Sequence, residues 1–505
     1  MIRAHSVAAV RAAEAAAMAQ LPDGELMARA AQGLAQVVAA RLDDTEEATV
    51  VGLVGAGDNG GDTLYAMGLL SEAGFPCALV LVPAAGRDGV HAGGLEAAET
   101  AGVMVHVAAE DAAAAAAVVA EADLVLDGIV GIGGRPGLRP EAAALVDAID
   151  DDAWVIAVDV ASGLDPDGEV DDHDAVWADE TVTFATPKPA HLMPAGEAAS
   201  GRLTVIDIGT DVSGVPAAVE RLTWDDVALL WPVPTSGDDK YSRGVLGVVA
   251  GGEAYSGAAV LSVTAAVEAG VGMVRYVGTP TPTGLVRAAV PEAVIGDGRV
   301  QAWLIGPGLD SEATGEEAEA QLAVARAALA SDLPVVIDAG GLDLIEGRRD
   351  APTVVTPHAG ELGRLLGRMV RPEGTLPEGL RITAADVKAD PLRSARDLAG
   401  LIGGTVLLKG STTLVVSHGD LPVRSQADAP PWLATAGAGD VLSGVIGSLL
   451  AAGLAPHDAA ALGALVHGVA ADRVSGGGPL RALAVAHGIR PTVRDLLARG
   501  RSAPG

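Results

Sequence analysis

Aromatic side chains make up only 2% of this 505-residue chain: two Phe, four Tyr and six Trp. Its cores must therefore be built from Ala, Val, Leu and Ile. Cysteine occurs once, as Cys77, which excludes an internal disulfide and fits a reducing compartment. Positive charge is scarce as well, with 33 Lys and Arg against 66 Asp and Glu and a formal net charge of −33. Nucleic acids and anionic membranes need clustered cations, so neither is an expected partner. Any phosphorylated ligand has to be captured by local dipoles against the overall field. Long apolar runs are missing too. The most apolar helical window, Leu442 to Ala455, is interrupted by glycine and followed by Pro456-His457-Asp458, too short to span a bilayer. Met1 to Met18 carries Arg3, Arg11 and Glu14 in place of a continuous apolar targeting core, so a cytoplasmic protein is expected.

Half of the chain is hydrophobic and 66 residues are glycine. Single cores stop growing at about 250–300 residues, so at least two domains are expected. β-Branched runs alternate with Ala-rich segments, the pattern of parallel sheets with crossover helices. In the first half the runs are Thr49 to Val54, Cys77 to Val82, Val103 to Val107, Leu124 to Asp127, Trp154 to Val158, Thr181 to Phe184 and Leu203 to Ile206. The Ala112 to Ala117 run reads as helix, and a further helix is expected over Leu64 to Ala73. Gly209 to Ala218 reads as a linker, giving domains over 1–215 and 222–505. Strands are expected in the second at Val245 to Ala250, Ala302 to Ile305, Pro334 to Ile337 and Thr353 to Val355, with a loop over Arg371 to Gly379. The fold class is α/β, two doubly wound domains that are not repeats of one another.

The segment Ala434-Thr435-Ala436-Gly437-Ala438-Gly439-Asp440-Val441-Leu442-Ser443-Gly444 joins a small-residue loop to an apolar helix. Glycines let main-chain N–H groups turn toward one point, and the helix dipole adds partial positive charge there. Asp440 is poorly suited to bind an anion at that spot but well suited to take a proton from a hydroxyl attacking a phosphate. Taken alone, it can also be read, with less weight, as the cap of a Gly-rich helix entry. Upstream, Thr405 to Val416 forms two β-rich runs around a polar turn that carries Lys409, one of four lysines in the chain. It can reach a phosphate as a point charge or be a solvated turn residue.

Three polar loops follow strands of the first half. Gly55-Ala56-Gly57-Asp58-Asn59-Gly60-Gly61-Asp62 lies where parallel α/β sheets bind ligands, with Asn59 and Asp62 able to meet a cation or a sugar hydroxyl. The others are Leu126-Asp127-Gly128-Ile129-Val130-Gly131-Ile132-Gly133-Gly134-Arg135-Pro136-Gly137 and Val158-Asp159-Val160-Ala161-Ser162-Gly163. Asp159, leaving an apolar strand, is expected to be partly desolvated, with a raised pKa suited to proton transfer.

These residues resemble one family, the bifunctional NAD(P)H-hydrate repair enzymes, an epimerase fused to an ADP- or ATP-dependent dehydratase of ribokinase-like fold. In the first half the resemblance rests on Leu26-Met27, the Gly57 to Asp62 loop, Gly131-Ile132-Gly133, Asp159 to Leu164 and Lys188. In the second it rests on Lys240 to Gly244, Gly251-Gly252, Tyr255 to Ala259, Gly306 to Leu309, Thr356 to Glu361, Lys409-Gly410 and Gly437 to Asp440. It implies a Rossmann-like epimerase domain followed by the ribokinase-like one. By position it implies that Asn59, Asp127 and Ser162 hold a potassium ion. Asp58, Asn59, Gly60, Gly61 and Asp62, the loop Gly131, Ile132, Gly133, Gly134, Arg135, Pro136 and Gly137, and the catalytic Asp159 would contact the hydrated nucleotide. In the second half Ala258, Gly308, His358 and the catalytic Asp440 would line the hydrate site. Lys409, Gly410, Ser411, Thr412, Thr413 and Gly439 would hold ADP or ATP, with Mg2+. A homo-oligomer is expected. Asp58 and Thr63 stand where the family usually has Asn and Gly, and Ala429-Pro430-Pro431-Trp432-Leu433 replaces an Asn-Pro-Gly-Met type of segment. The alternative is a ribokinase-like kinase for a vitamin or sugar, with an accessory binding domain.

Overall fold

In the first unit the inner apolar runs become short strands buried on both faces, as sequences without polar alternation require, while the edge strands Met104–Val107 and Arg202–Ile206 are partly exposed. The computed structural model describes residues 1–42, 48–82, 89–170, 174–369 and 381–502, so the loop expected over Arg371 to Gly379 lies outside the described residues. Tertiary contacts divide the chain into Arg3–Val219 and a unit made of Glu220–Gly505 with Met1–Ile2.

The sheet of the first unit runs Met104–Val107, Cys77–Leu81, Val50–Val54, Leu124–Gly128, Trp154–Val158, Glu180–Phe184, Arg202–Ile206. Every neighbouring pair is parallel. From Val50–Val54 the chain adds strands first to one side and then to the other. The loops after Val50–Val54 and Leu124–Gly128 therefore open a crevice at the carboxyl edge, the topological switch point. They are pressed together there: Gly55 N–H donates to the Gly128 carbonyl at 3.1 Å, and a Cβ on Gly55 would lie 1.9 Å from the Ile129 oxygen. Gly55→Ala should lower the unfolding free energy of this unit by about 3 kcal/mol. A denaturant midpoint equal to that of the native chain would contradict this close approach.

The helix expected to begin at Leu64 begins at Asp58 instead and ends at Glu72. Gly57, with φ +113°, turns the chain directly from loop into helix, so residues 58–62 form its opening turn. The alanine run forms helix Ala112–Ala120, started by Asp111, whose carboxylate accepts from Ala114 N–H at 2.9 Å.

In the second unit parallel strands run Thr405–Leu408, Thr353–Val355, Val335–Ile337, Ala302–Ile305, Val245–Val249, Met273–Val277, Val294–Ile295. Beyond Thr405–Leu408 the sheet continues antiparallel through Thr413–Ser417 and Val423–Gln426. The direction of strand addition again reverses, at Val245–Val249 and Ala302–Ile305. Helix Ala438–Ala451 is buried almost throughout and packs on helix Ser256–Glu268, where a Cβ on Gly444 would meet the Ser262 oxygen at 2.4 Å. Among the described residues no helix is long and apolar enough to cross a membrane.

Candidate active sites

The carboxyl edge of the first sheet gathers the three polar loops. Asp127 is fully buried at the end of its strand; its carboxylate accepts from the Ser162 hydroxyl and amide, both at 2.7 Å, and from Ile129 N–H at 3.3 Å. Ser162 Oγ in turn accepts from Val130 N–H at 3.0 Å. Burial, only partly offset by these hydrogen bonds, pushes the Asp127 carboxyl up to about 6. Asn59 lies alongside, its Nδ2 buried and unpartnered. Among the described residues no cation pairs with Asp127. The Asp127 carboxylate, the Ser162 hydroxyl and Asn59 Oδ1 are oxygen donors of the kind a monovalent cation takes, whereas the unpartnered Asn59 Nδ2 is a hydrogen-bond donor and calls for an acceptor oxygen.

A Cβ on Gly131 would lie 2.9 Å from Asn59 Oδ1 and 3.1 Å from Asp159 Oδ2, so the glycine loop passes over both groups. That loop is fastened by Gly137 N–H to the Gly163 carbonyl at 2.9 Å, and Arg11 Nη2 donates to the Ile132 carbonyl at 3.4 Å. Thr63, the departure from the family pattern, turns inward: its hydroxyl donates to the Asn59 carbonyl at 2.9 Å and fills the space beside Gly128. Asp58 is exposed, at the positive end of its helix, where a carboxylate is favourable.

Asp159 corrects the expectation drawn from its strand. It is buried, and burial alone would raise its pKa, yet its carboxyl is held below the usual value by the charge and hydrogen bond of Lys188, with the Thr183 hydroxyl contributing. Desolvation was foreseeable from the apolar strand; the buried ammonium, 29 positions further on, was not. Two other carboxyls of this site are pushed the opposite way. Asp62 stands well above its ordinary range because of burial and the neighbouring Asp159, Asp58 and Glu14. Glu14, on helix Val7–Met18, is raised by burial and by Asp159 and Asp58, against the pull of Lys188. Neither Glu14 nor the role of Lys188 was evident from sequence, although Lys188 is one of only four lysines.

The second site lies at the head of helix Ala438–Ala451, where Gly437 takes φ +89° as the N-cap. The first N–H groups of a helix have no partner within it, which favours negative charge there. Asp440 sits in that first turn, and its carboxyl is raised to about 7 by burial and by Asp338 and Glu361, against the pull of Lys409. Lys409 is not a solvated turn residue. Its Nζ lies 2.9 Å from Asp338 Oδ1 and 3.7 Å from Glu361 Oε2, and a Cβ on Gly439 would be 3.2 Å from it. Burial opposes the charge of Lys409, but these carboxylates outweigh it and raise its pKa. The main chain completes the junction, since Lys409 N–H donates to the Pro357 carbonyl at 2.9 Å.

Asp338 went unnoticed in the sequence, although it carries the same signal as Asp127 and Asp159, an Asp just past an apolar parallel strand, here Val335–Ile337. It is almost fully buried and also accepts from Ser443 Oγ at 3.2 Å. His358 is half-exposed and caps its own helix start: Nδ1 accepts from Gly360 N–H at 3.0 Å, while its own N–H donates to Glu361 at 2.8 Å. Ala258 and Gly308 meet elsewhere at this sheet edge, where Gly308 takes φ +63° and a Cβ on it would lie 2.7 Å from that of Ala258. Gly410 and Ser411 form the exposed hairpin tip, and Thr412 is buried behind it. Among the described residues no group of three or more His, Cys, Asp or Glu is arranged to hold a metal ion.

Residues 246–479 match a protein family described as NAD(P)H-hydrate dehydratase, and residues 23–190 match one described as YjeF-related protein N-terminus. A bifunctional NAD(P)H-hydrate repair enzyme of Mycobacterium leprae is 42% identical over 489 residues, covering 92% of this chain and 93% of that protein. The enzyme of the same name from Escherichia coli is 30% identical over 477 residues, covering 91% and 87%. Among solved structures, an ADP/ATP-dependent NAD(P)H-hydrate dehydratase from Bacillus subtilis, co-crystallised with ATP/Mg2+, is similar to 56% of this chain and 100% of its own, at 22% identity and TM-score 0.47.

Proposed function

We propose how two sites divide one repair between them, starting from the premise that this chain belongs to the bifunctional NAD(P)H-hydrate repair enzymes. It interconverts the R and S epimers of hydrated NADH and NADPH and returns the S epimer to NAD(P)H in a nucleotide-dependent dehydration.

Hydration of reduced nicotinamide leaves a hydroxyl on the carbon beside the ring nitrogen. That hydroxyl is a poor leaving group until it is phosphorylated. Asp440 takes its proton, the freed oxygen attacks the terminal phosphorus, and the bond from phosphorus to the nucleotide breaks. Lys409 and the first-turn amides around Gly439 hold the charge that spreads over the transferring group. Phosphate then leaves with the electron push of the ring nitrogen, and loss of a proton from the adjacent ring carbon restores the dihydronicotinamide. Magnesium accompanies the nucleotide, and Asp338 and Glu361 offer hard carboxylate oxygens of the kind it takes. Lys409 to Thr413 border the nucleotide, and Ala258, Gly308 and His358 the hydrate.

The first site needs only proton movement. Asp62, whose carboxyl is raised, supplies a proton to the departing hydroxyl, Asp159, ionised at rest, receives the proton of the water that adds to the ring, and return of that proton from Asp159 to Asp62 through solvent resets the pair for the next turnover. Asn59, Asp127 and Ser162 would hold a potassium ion, which would supply positive charge to a phosphorylated ligand. The loops 58–62 and 131–137 fix its position. The single cysteine and the reduced-nicotinamide substrate suit the cytoplasm.

The observation that carries the dehydratase assignment is a half-buried carboxyl in the first turn of a helix, facing the Lys409 ammonium that Asp338 and Glu361 hold beside Gly439. Asp440 can accept a proton only once it has lost its own, and its raised pKa delays that loss to near neutrality. Dehydratase kcat/KM should therefore rise about tenfold per pH unit below 7 and level off above it. A flat profile between pH 5 and 8 would remove Asp440 as the base.

A further inference from the structure

Lys188 is fully buried and all three of its ammonium hydrogens are placed. Its Nζ donates to Asp159 Oδ1 in a short contact, to Thr183 Oγ1 at 2.9 Å and to the Phe184 carbonyl at 3.0 Å. Oδ1 of Asp159 also receives Thr183 Oγ1 at 3.1 Å and Phe184 N–H at 3.4 Å. The other oxygen, Oδ2, faces the Gly131 loop. One edge of the carboxylate is thus tied into the protein and the other is presented to the crevice. The backbone of Asp159 sits at φ +68°, a left-handed conformation that a non-glycine residue holds only when its surroundings enforce it. The enforcing contacts are the Asp159 N–H bond to the Val182 carbonyl at 2.7 Å and the clamp on Oδ1. His191 Nδ1 accepts from the Lys188 main-chain N–H at 3.1 Å, and burial pushes His191 down to about 3, so it stays neutral beside the pair.

The geometry points to Lys188 as a positioning residue of the epimerase. By gripping Oδ1 it fixes which edge of Asp159 meets the substrate and holds the side chain on its strained backbone. This rests on the assignment of Asp159 given above. Lys188 itself does not reach the reacting carbon, because its three donors are all used inside the protein. Its removal should therefore act on the rate of turnover and leave substrate binding intact. The chemistry asks for a cation with directed donors at that point, and length alone does not supply it.

The test is steady-state epimerase kinetics of the full chain carrying Lys188→Met, Lys188→Arg, Thr183→Val or Asp159→Asn, each first checked for native circular dichroism. Lys188→Met should lower kcat about a hundredfold with KM within about threefold. Lys188→Arg, which keeps the charge, should recover at least about a tenth of the native kcat. Thr183→Val, the mildest change, should lower kcat about threefold to tenfold, and it keeps the test informative if Lys188→Met does not fold. Native kcat in Lys188→Met or in Thr183→Val, a loss expressed in KM, or an arginine variant as impaired as the methionine variant would overturn the role of Lys188. Native turnover in Asp159→Asn would instead overturn the assignment of Asp159. An inactive Asp159→Asn beside a fully active Lys188→Met would sink the Lys188 inference alone.

Discussion

Replacing Asp440 with Asn should lower the dehydratase kcat about a thousandfold or more while leaving KM for hydrated NADH nearly unchanged. The amide keeps the size and much of the hydrogen bonding of the carboxylate but cannot take a proton. Stability should move the other way. A carboxyl whose folded pKa is raised binds its proton more tightly in the folded state, so ionising it destabilises the fold as pH climbs from the ordinary carboxylate range through about 7. At pH 8 the Asn variant escapes that penalty and the repulsion from Asp338 and Glu361. Its melting temperature should equal or exceed that of the native chain. An inactive but destabilised variant would show that Asp440 serves packing and not proton transfer.

Asp159→Asn should produce a different kinetic signature from the same substrate mixture. The S epimer is still dehydrated at the native rate, while the R epimer must wait for uncatalysed epimerisation. Recovery of reduced nicotinamide should therefore stop after a fast phase at about half of the material and continue only slowly. Adding the native chain should release the remainder. A single complete fast phase would show that Asp159 is not needed for epimerisation.

How much of this was legible in the sequence depended on whether the signal was local. Apolar strands followed directly by Asp or Gly were readable one by one, and their parallel pairing gathers Asp127, Asp159 and the Gly55 to Asp62 loop at one sheet edge. The start of the helix at Asp58 was not legible, because Asn, Gly and Asp resemble a loop by propensity, whereas here Gly57 makes the turn. The sign of the Asp159 shift depends on Lys188, a partner supplied by a later loop with no periodicity. Asp338 carried the expected local pattern, but its importance appears only when Lys409, 71 residues later and just past strand Thr405–Leu408, pairs with it. Burial, together with charges that meet through tertiary structure, sets the pKa values of both sites, and single-chain patterns do not record those meetings.

The central claim is that Asp440 activates a hydroxyl for phosphoryl transfer and that the product then eliminates phosphate. Its most direct measurement is the recovery of reduced-nicotinamide absorbance from mixed epimers of hydrated NADH, with ADP, with ATP and with neither, followed by analysis of the products. Complete recovery with a nucleotide, one phosphate released for each NADH formed and no recovery without nucleotide are the predicted results. Recovery without nucleotide, or accumulation of a stable phosphorylated product as a simple kinase would give, would contradict it.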